Sequence, residues 1–312
     1  MPDSPVDAHP LVSVVVPTRD RPALLARALT AILGQDYPGE IECVVVFDQC
    51  EPDLPSDLVI PANRRVQAIT NARTPGLAGG RNTGILASDG GLIAFCDDDD
   101  EWLPNKLAAQ VAELIASPEH AVATTGIITV TAGQPDRERV LAHREITHQM
   151  FLRSRIMEVH SSTLLMRRDV LLEKIGLVDE EIPGSYAEDY EWLLRASGYA
   201  PLLVIRAPLV RVDLHPKSFF AEQWQTIAAA SRYLLEHHPD LRSESRGAAR
   251  IYGRLAIAEA ALGNRREAWR YAFGSLKRQQ LQHRAYVALA ITLHLLTADR
   301  AVRLANRVGK GI

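Results

Sequence analysis

Four consecutive aspartates, Asp97 to Asp100, stand in the middle of the segment GLIAFCDDDDEWLPNKL at residues 90–106, directly after a short apolar run. Two unit charges about 4 Å apart repel by about 4 kcal/mol at an effective dielectric of 20, so this arrangement needs a reason. A solvated charged loop is the ordinary fate of such clusters, but this one falls inside a strand-to-helix turn. An EF-hand calcium loop requires glycine at its sixth position, where Trp102 stands, and is excluded. What stays open is a divalent-metal site in which one or two carboxylates and substrate phosphates share Mg²⁺ or Mn²⁺.

Three other groups could do chemistry. TPGLAGGRNTG (74–84) is Gly-rich but matches neither the dinucleotide fingerprint nor the P-loop. Its Arg81 and Asn82 fall where a helix is expected to begin, a place to meet phosphate or ribose oxygens, although a plain turn explains the glycines equally well. Glu188 and Asp189 form a carboxylate pair at another helix start, where acids also simply favour the helix dipole. His215, in VRVDLHPKSFF, reads by itself as an ordinary surface histidine.

The elements around these groups alternate. LVSVVV (11–16) and IECVVVF (41–47) have the continuous apolar pattern of strands buried on both faces. RVQAIT (65–70) and GLIAFC (91–96) read as two more strands. Between the first two lies a helix with Pro22 near its start and Gly34 past its end. A short helix is expected from Arg81 to Ser88, and another after Pro104, with Leu107, Val111, Leu114 and Ile115 on one face. Strands alternating with helices indicate a parallel α/β sheet, whose ligands bind beyond the carboxyl ends of the strands. That rule places Pro17, Thr18 and Arg19, Asp48, and Asp97 to Asp100 along one edge. Further on, residues 121–130 and 160–166 read as strands, RDVLLEKIG and AEDYEWLLRASG as helices, and PLLVIRAPLVRVDLH as strand and loop. From about residue 222 helical periodicity takes over, with two antiparallel helices meeting at Gly263-Asn264.

Taken together, these pieces resemble a family-2 glycosyltransferase of the GT-A fold over roughly residues 11–220. The match runs through VSVVVPTRDRPALLARALTAILGQDYP, ECVVVFDQCEPD, GLAGGRNTG, FCDDDDEWLPNKL, the block SSTLLMRRDVLLEKIGLVDEEIPGSYAEDYEWLLRASG, and LHPKS, in the family's order. Phe47 and Cys50 depart from the family's Asp-Asp-Gly-Ser strand end, so only Asp48 carries over there. The resemblance implies an α/β fold, a single Rossmann-like mixed sheet flanked by helices, followed by a C-terminal α-helical subdomain. The expected domains are a flexible N-terminus at 1–10, a GT-A domain at 11–221 and helices at 222–312. The GT-A domain divides into a nucleotide-sugar half (11–115) and an acceptor half (116–221).

The roles it implies follow position by position. Asp48 and Arg19 or Thr18 would meet the nucleotide base, Pro17 would belong with them to the donor site, and Arg81 would lie near the base or diphosphate. Asp97 or Asp98 would hold the ribose, and Asp99 a Mn²⁺ or Mg²⁺ ion bridging the diphosphate. His215 would help hold that ion or the leaving group. Asp189 would be the general base, supported by Glu188. The implied reaction is a single displacement that inverts the anomeric centre. The processive members' Q-x-x-R-W is replaced here by YEWLLRASGY, which points to addition of one sugar. A nucleotidyltransferase and a non-catalytic sugar-binding protein on the same fold are the alternatives.

Bulk properties bound the partners. With 312 residues, 47% hydrophobic and 23% charged, the chain is in the globular range. A net charge of −3 gives no reason to expect nucleic acid. Three cysteines, Cys43, Cys50 and Cys96, without CxxC spacing argue against a disulfide framework or a zinc site. The polar, Pro-rich start is no signal peptide, and the longest uncharged apolar stretch, 285–298, falls short of the roughly 20 residues a membrane helix needs. The expected protein is cytoplasmic, with peripheral membrane contact through the C-terminal helices and self-association as open alternatives. Its expected partners are a UDP-, dTDP- or GDP-sugar donor and a glycan, lipid-linked or small-molecule acceptor.

Overall fold

In the computed structural model, residues 8–131, 133–213 and 223–301 are described. They divide into two compact units. The first takes the chain up to His148, Ile156–Glu180, and Glu188 through the last strand; the second takes Gln149–Arg155, Glu181–Ala187 and the C-terminal helices.

The first unit is built on a ten-stranded sheet. Its strands are β1 (Val12–Thr18), β2 (Ile41–Phe47), β3 (Arg64–Thr70), β4 (Leu92–Phe95), β5 (Glu101–Trp102), β6 (Val122–Val130), β7 (Arg137–Arg139), β8 (Glu145–Ile146), β9 (Leu165–Arg167) and β10 (Leu202–Asp213). The main order is β3-β2-β1-β4-β9-β6-β10-β5, with β7 on β6 and β8 on β10. The first four strands are parallel, as their buried apolar runs predict. The sheet as a whole is mixed, because β9 runs antiparallel between β4 and β6. All seven residues of β1 and of β2 are buried, which is why neither shows polar alternation.

Helices α1 (Pro22–Leu33), α2 (Leu77–Ala87) and α3 (Lys106–Ala116) cover the sheet. Leu25, Leu29 and Ile32 of α1 join Leu107, Val111 and Leu114 of α3 in one core with Val12, Val14 and Val16. Residue Val15 points to the opposite face, against α2. That helix starts at Leu77, one turn before its expected start, so Arg81 and Asn82 lie inside it and are buried. After α4 (His148–Arg153) the expected strand at 160–166 divides into a 3₁₀ turn, Ser161–Thr163, and β9. The expected helix beyond it is a single turn, α5 (Arg168–Val170), then a π-helical turn, Leu171–Ile175, ended by Gly176 at φ 88°. α6 (Glu188–Tyr199) completes the unit.

The second unit gathers α7 (Trp224–His237), α8 (Pro239–Ser243), α9 (Ser245–Ala261), α10 (Arg265–Arg278) and α11 (His283–Thr292). Helices α9 and α10 form the expected pair, turned by Gly263 at φ 80°. Buried Leu234, Leu241, Ile251, Leu255, Ala268, Ala272, Ala285 and Ala288 fill this unit. Among the described residues no helix is long and apolar enough to cross a membrane.

The packing of α2 on β1 depends on Gly84. A methyl group there would lie 2.3 Å from Val15 Cγ1. Gly84→Ala should therefore lower stability by about 1–3 kcal/mol, the usual penalty of overpacking, read as a lower Tm. An unchanged Tm would mean that α2 can lift off the strand freely.

Candidate active site

The carboxyl edge of β1, β2, β3 and β4 collects the polar groups that the sequence singled out. After β2, Asp48 is buried and accepts from Asn71 Nδ2 at 2.7 Å, Gln49 Nε2 at 3.0 Å and the Gly76 backbone N–H at 3.1 Å. It thereby ties the end of β2 to the loop that leads into α2. The chain turns sharply here: Asp20 and Gln49 adopt left-handed backbone, at φ 53° and 57°. Arg19 is exposed beside Asp20, whereas Thr18 donates from Oγ1 to Asp98 Oδ2 at 2.8 Å.

The four aspartates separate into distinct environments. Asp97 Oδ1 accepts from Arg81 Nη2 at 2.7 Å, and its Oδ2 from Ser161 Oγ at 2.8 Å. Asp98 is buried between Thr18 and Arg21, the latter at 3.1 Å. Asp99 Oδ2 shares that same guanidinium at 3.2 Å. Asp100 is 1% exposed and accepts from Ser162 Oγ at 2.5 Å, with His160 Nδ1 at 3.1 Å. The His160, Asp97 and Asp100 donor atoms all lie within 4.8 Å of one another, a spacing that could hold a metal ion.

One guanidinium spans the site. Arg81, 3% exposed, reaches Asp97 with one nitrogen and Glu188 Oε1 with the other at 2.5 Å. Its ring-side face lies over Phe95. This joins the turn after β4 to the first residue of α6. Asp189, the next residue, is half-buried and accepts the Tyr190 backbone N–H at 2.7 Å. Glu188 and Asp97 compete for the one cation. Burial pushes both carboxyls up, but Arg81 together with His160 brings Asp97 below its ordinary range, while Glu188 stays above its own.

The charges do not balance. Asp97, Asp98, Asp99, Asp100 and Glu188 face Arg81, Arg21 and His160, and the excess shows where compensation is weakest. Asp99 is pushed up to about 6, first by burial and then by Asp97, Asp100 and Asp98. Asp98 is raised as well, by burial. His160 moves the other way: burial opposes its charge, but Asp100 and Asp97 carry it up to about 9. The two carboxylates thus favour the charged form of His160 as long as no metal ion lies between them.

Further contacts hold this edge in place. Asn82 donates from Nδ2 to Val178 O at 2.8 Å and to Glu180 Oε1 at 2.6 Å. Trp102 Nε1 donates to Ser162 O at 2.9 Å, and the buried Lys106 ammonium sits 3.8 Å from the Trp102 ring centroid. Loss of hydration by burial brings Lys106 down to about 7. Asp48, Thr18, Arg81, Asp97, Asp98, Asp99, Glu188 and Asp189 all belong to the first unit, with Pro17 inside β1 beneath Gly80. His215 lies outside the described residues. Sequence reasoning missed His160, Ser161 and Ser162; the polar run HSST ahead of the apolar LLM was the available signal.

Comparisons with known proteins agree on a family. Residues 13–175 match the family model of glycosyl transferase family 2. The UDP-Glc:alpha-D-GlcNAc-diphosphoundecaprenol beta-1,3-glucosyltransferase WfgD of Escherichia coli is 30% identical over 105 residues, 34% of this chain and 41% of that protein. The GalNAc(5)-diNAcBac-PP-undecaprenol beta-1,3-glucosyltransferase of Campylobacter jejuni is 32% identical over 102 residues, 32% of this chain and 33% of that one. The matched stretch thus spans less than half of either relative. In fold, the chain is similar to S. aureus TarS 1-349 in complex with UDP (TM-score 0.55, 19% identity, 96% of this chain and 92% of that chain). It is also similar to the mannosyltransferase PcManGT of Pyrobaculum calidifontis in complex with GDP-Man and Mn²⁺ (TM-score 0.56, 18% identity, 91% and 87%).

Removing one partner of a buried ion pair leaves an uncompensated charge and costs about 3–5 kcal/mol. Arg81→Gln should destabilise the protein by that order. Adding Glu188→Gln should restore part of the loss, because one stranded carboxylate is then neutral. Urea unfolding of the two single variants and the double variant measures this; strictly additive losses would show that the two side chains are not coupled.

Proposed function

The chain belongs to glycosyl transferase family 2, and on that footing we propose that it moves one sugar from a nucleoside diphosphate sugar to an acceptor hydroxyl, with inversion at the anomeric carbon. The observation that carries this reading is the pairing of an under-compensated acidic edge with a half-buried carboxylate, Asp189, within one unit. The acidic edge suits a dication and diphosphate; Asp189 suits proton removal from the attacking hydroxyl.

The residues present fit a divalent ion. Asp97 and Asp100 already have Arg81, His160 and two serine hydroxyls as partners. Asp99 has only a share of Arg21, which is half exposed. We therefore assign the ion to Asp99, with His215 as the partner that the family resemblance implies. The Asp97–Asp100–His160 trio is the second reading, favoured by its compact donor set. When bound, Mn²⁺ or Mg²⁺ acts as a Lewis acid that stabilises charge on the departing diphosphate.

The remaining work falls to side chains. Asp48, with Thr18 and Arg19 beside it, faces the base; Pro17 shapes that strand end, and Asp98 or Asp97 takes ribose hydroxyls. Arg81 acts through others, holding the Asp97 turn against Glu188 so that Asp189 keeps its orientation. Asp189 takes the acceptor proton as the hydroxyl attacks. The solved neighbours hold UDP and GDP-Man, which supports a UDP-, dTDP- or GDP-sugar donor. The two curated relatives are named for diphosphoundecaprenol-linked acceptors, which supports a lipid-linked glycan acceptor.

Two measurements test this. Asp189→Asn should keep donor affinity yet lose transfer by ~10²-fold or more, the range that general bases contribute; near-normal transfer removes Asp189 from the role. Release of nucleoside diphosphate from a donor panel should depend on Mn²⁺ or Mg²⁺ and stop in EDTA. Asp99→Asn should abolish that dependence and His160→Gln should not; the reverse result moves the ion to the trio. No turnover with any donor would favour a sugar-binding protein.

A further inference from the structure

The helical unit buries two arginines and half-buries a third, none of which the transfer chemistry uses. Arg250 and Arg254 stand one turn apart on the same face of α9, and they are only 9% and 7% exposed. Gly253 lies between them and opens the way for a third. A Cβ at that position would come within 2.9 Å of the Arg284 Cβ, so the glycine lets α11 close onto α9 and brings its guanidinium to the pair. Tyr186, from the Glu181–Ala187 segment of the same unit, has its ring centroid 5.6 Å from Arg254 Cζ.

Like charges held this close and this deep are unfavourable unless something balances them. Among the described residues Arg254 makes no ion pair, and its Nε and Nη1 have no hydrogen-bond partner. Arg284 is brought down to about 10, by burial first and then by Arg254 and Arg250. Planar guanidinium forks match the oxygens of a phosphate in pairs, which an ammonium cannot do.

We propose that Arg250, Arg254 and Arg284 form an oxyanion site in the helical unit that takes a phosphate or diphosphate group, with the Tyr186 ring along one side. The group comes either from free diphosphate or from a diphosphate esterified to a lipid. The site stands apart from sugar transfer: a chain that transfers nothing can still bind an anion here.

The test uses the full chain in EDTA, with inorganic pyrophosphate and geranyl diphosphate as probes, read by calorimetry and by Tm. The wild type should bind at least one probe with a rise in Tm. Arg254→Gln should weaken binding at least tenfold without lowering the ligand-free Tm, because it relieves a like-charge contact, and Arg284→Gln should weaken binding by a similar factor. Arg254→Lys, which keeps the charge but not the fork, should fall between and serves if a glutamine variant does not fold. Tighter binding of geranyl diphosphate assigns the site to a lipid-borne group; equal or weaker binding assigns it to free diphosphate. No binding of either probe, or binding that ignores the substitutions, overturns the site.

Discussion

The Arg81 guanidinium is the interaction on which the candidate site depends. It arrives from α2, is almost fully enclosed, and divides its two terminal nitrogens between the turn after β4 and the start of α6. Without a cation there, Asp97 and Glu188 would face each other across a buried space, and each would do better by protonating or by moving to water. With it, residues 97 and 188, distant in sequence, become one rigid edge. The glycines of α2 serve the same end. A Cβ at Gly79 would lie 1.9 Å from Thr74 O, and one at Gly84 would strike Val15. Only a helix nearly bare of side chains on those faces can sit low enough for Arg81 to reach both carboxylates.

Much of this was legible in the sequence because it rests on local rules. β1 to β4, α1 and the run from Phe95 to Trp102 follow from apolar runs, Pro22 and Gly34, and the carboxyl-edge rule then places Asp48 and the four aspartates together. Arg81 shows where local reading ends. Its place after a glycine pair suggests a helix start open to a ligand, yet the helix begins at Leu77 and the side chain is spent on protein carboxylates. Nothing in the segment itself announces a partner more than a hundred residues away.

His160 was missed for a topological reason. In a purely parallel sheet, the residues before a strand lie at the edge opposite the site. Because β9 runs antiparallel to β4, the residues before it are delivered to the carboxyl edge instead. His160, Ser161 and Ser162 thus stand beside Asp97 and Asp100. Strand direction is set by tertiary pairing, and a short apolar run such as LLM carries no sign of it.

The uneven neutralisation of the four aspartates has a kinetic consequence. An edge with more carboxylates than cations presents a negative potential to whatever diffuses toward it, and a nucleoside diphosphate carries the same sign. A naked donor is slowed at the threshold, whereas an ion, or a donor already chelated to one, is drawn in. On the reading proposed for this chain, the order of arrival is therefore written into the electrostatics: the cation precedes the sugar nucleotide or travels with it, and the empty edge discourages unproductive occupancy.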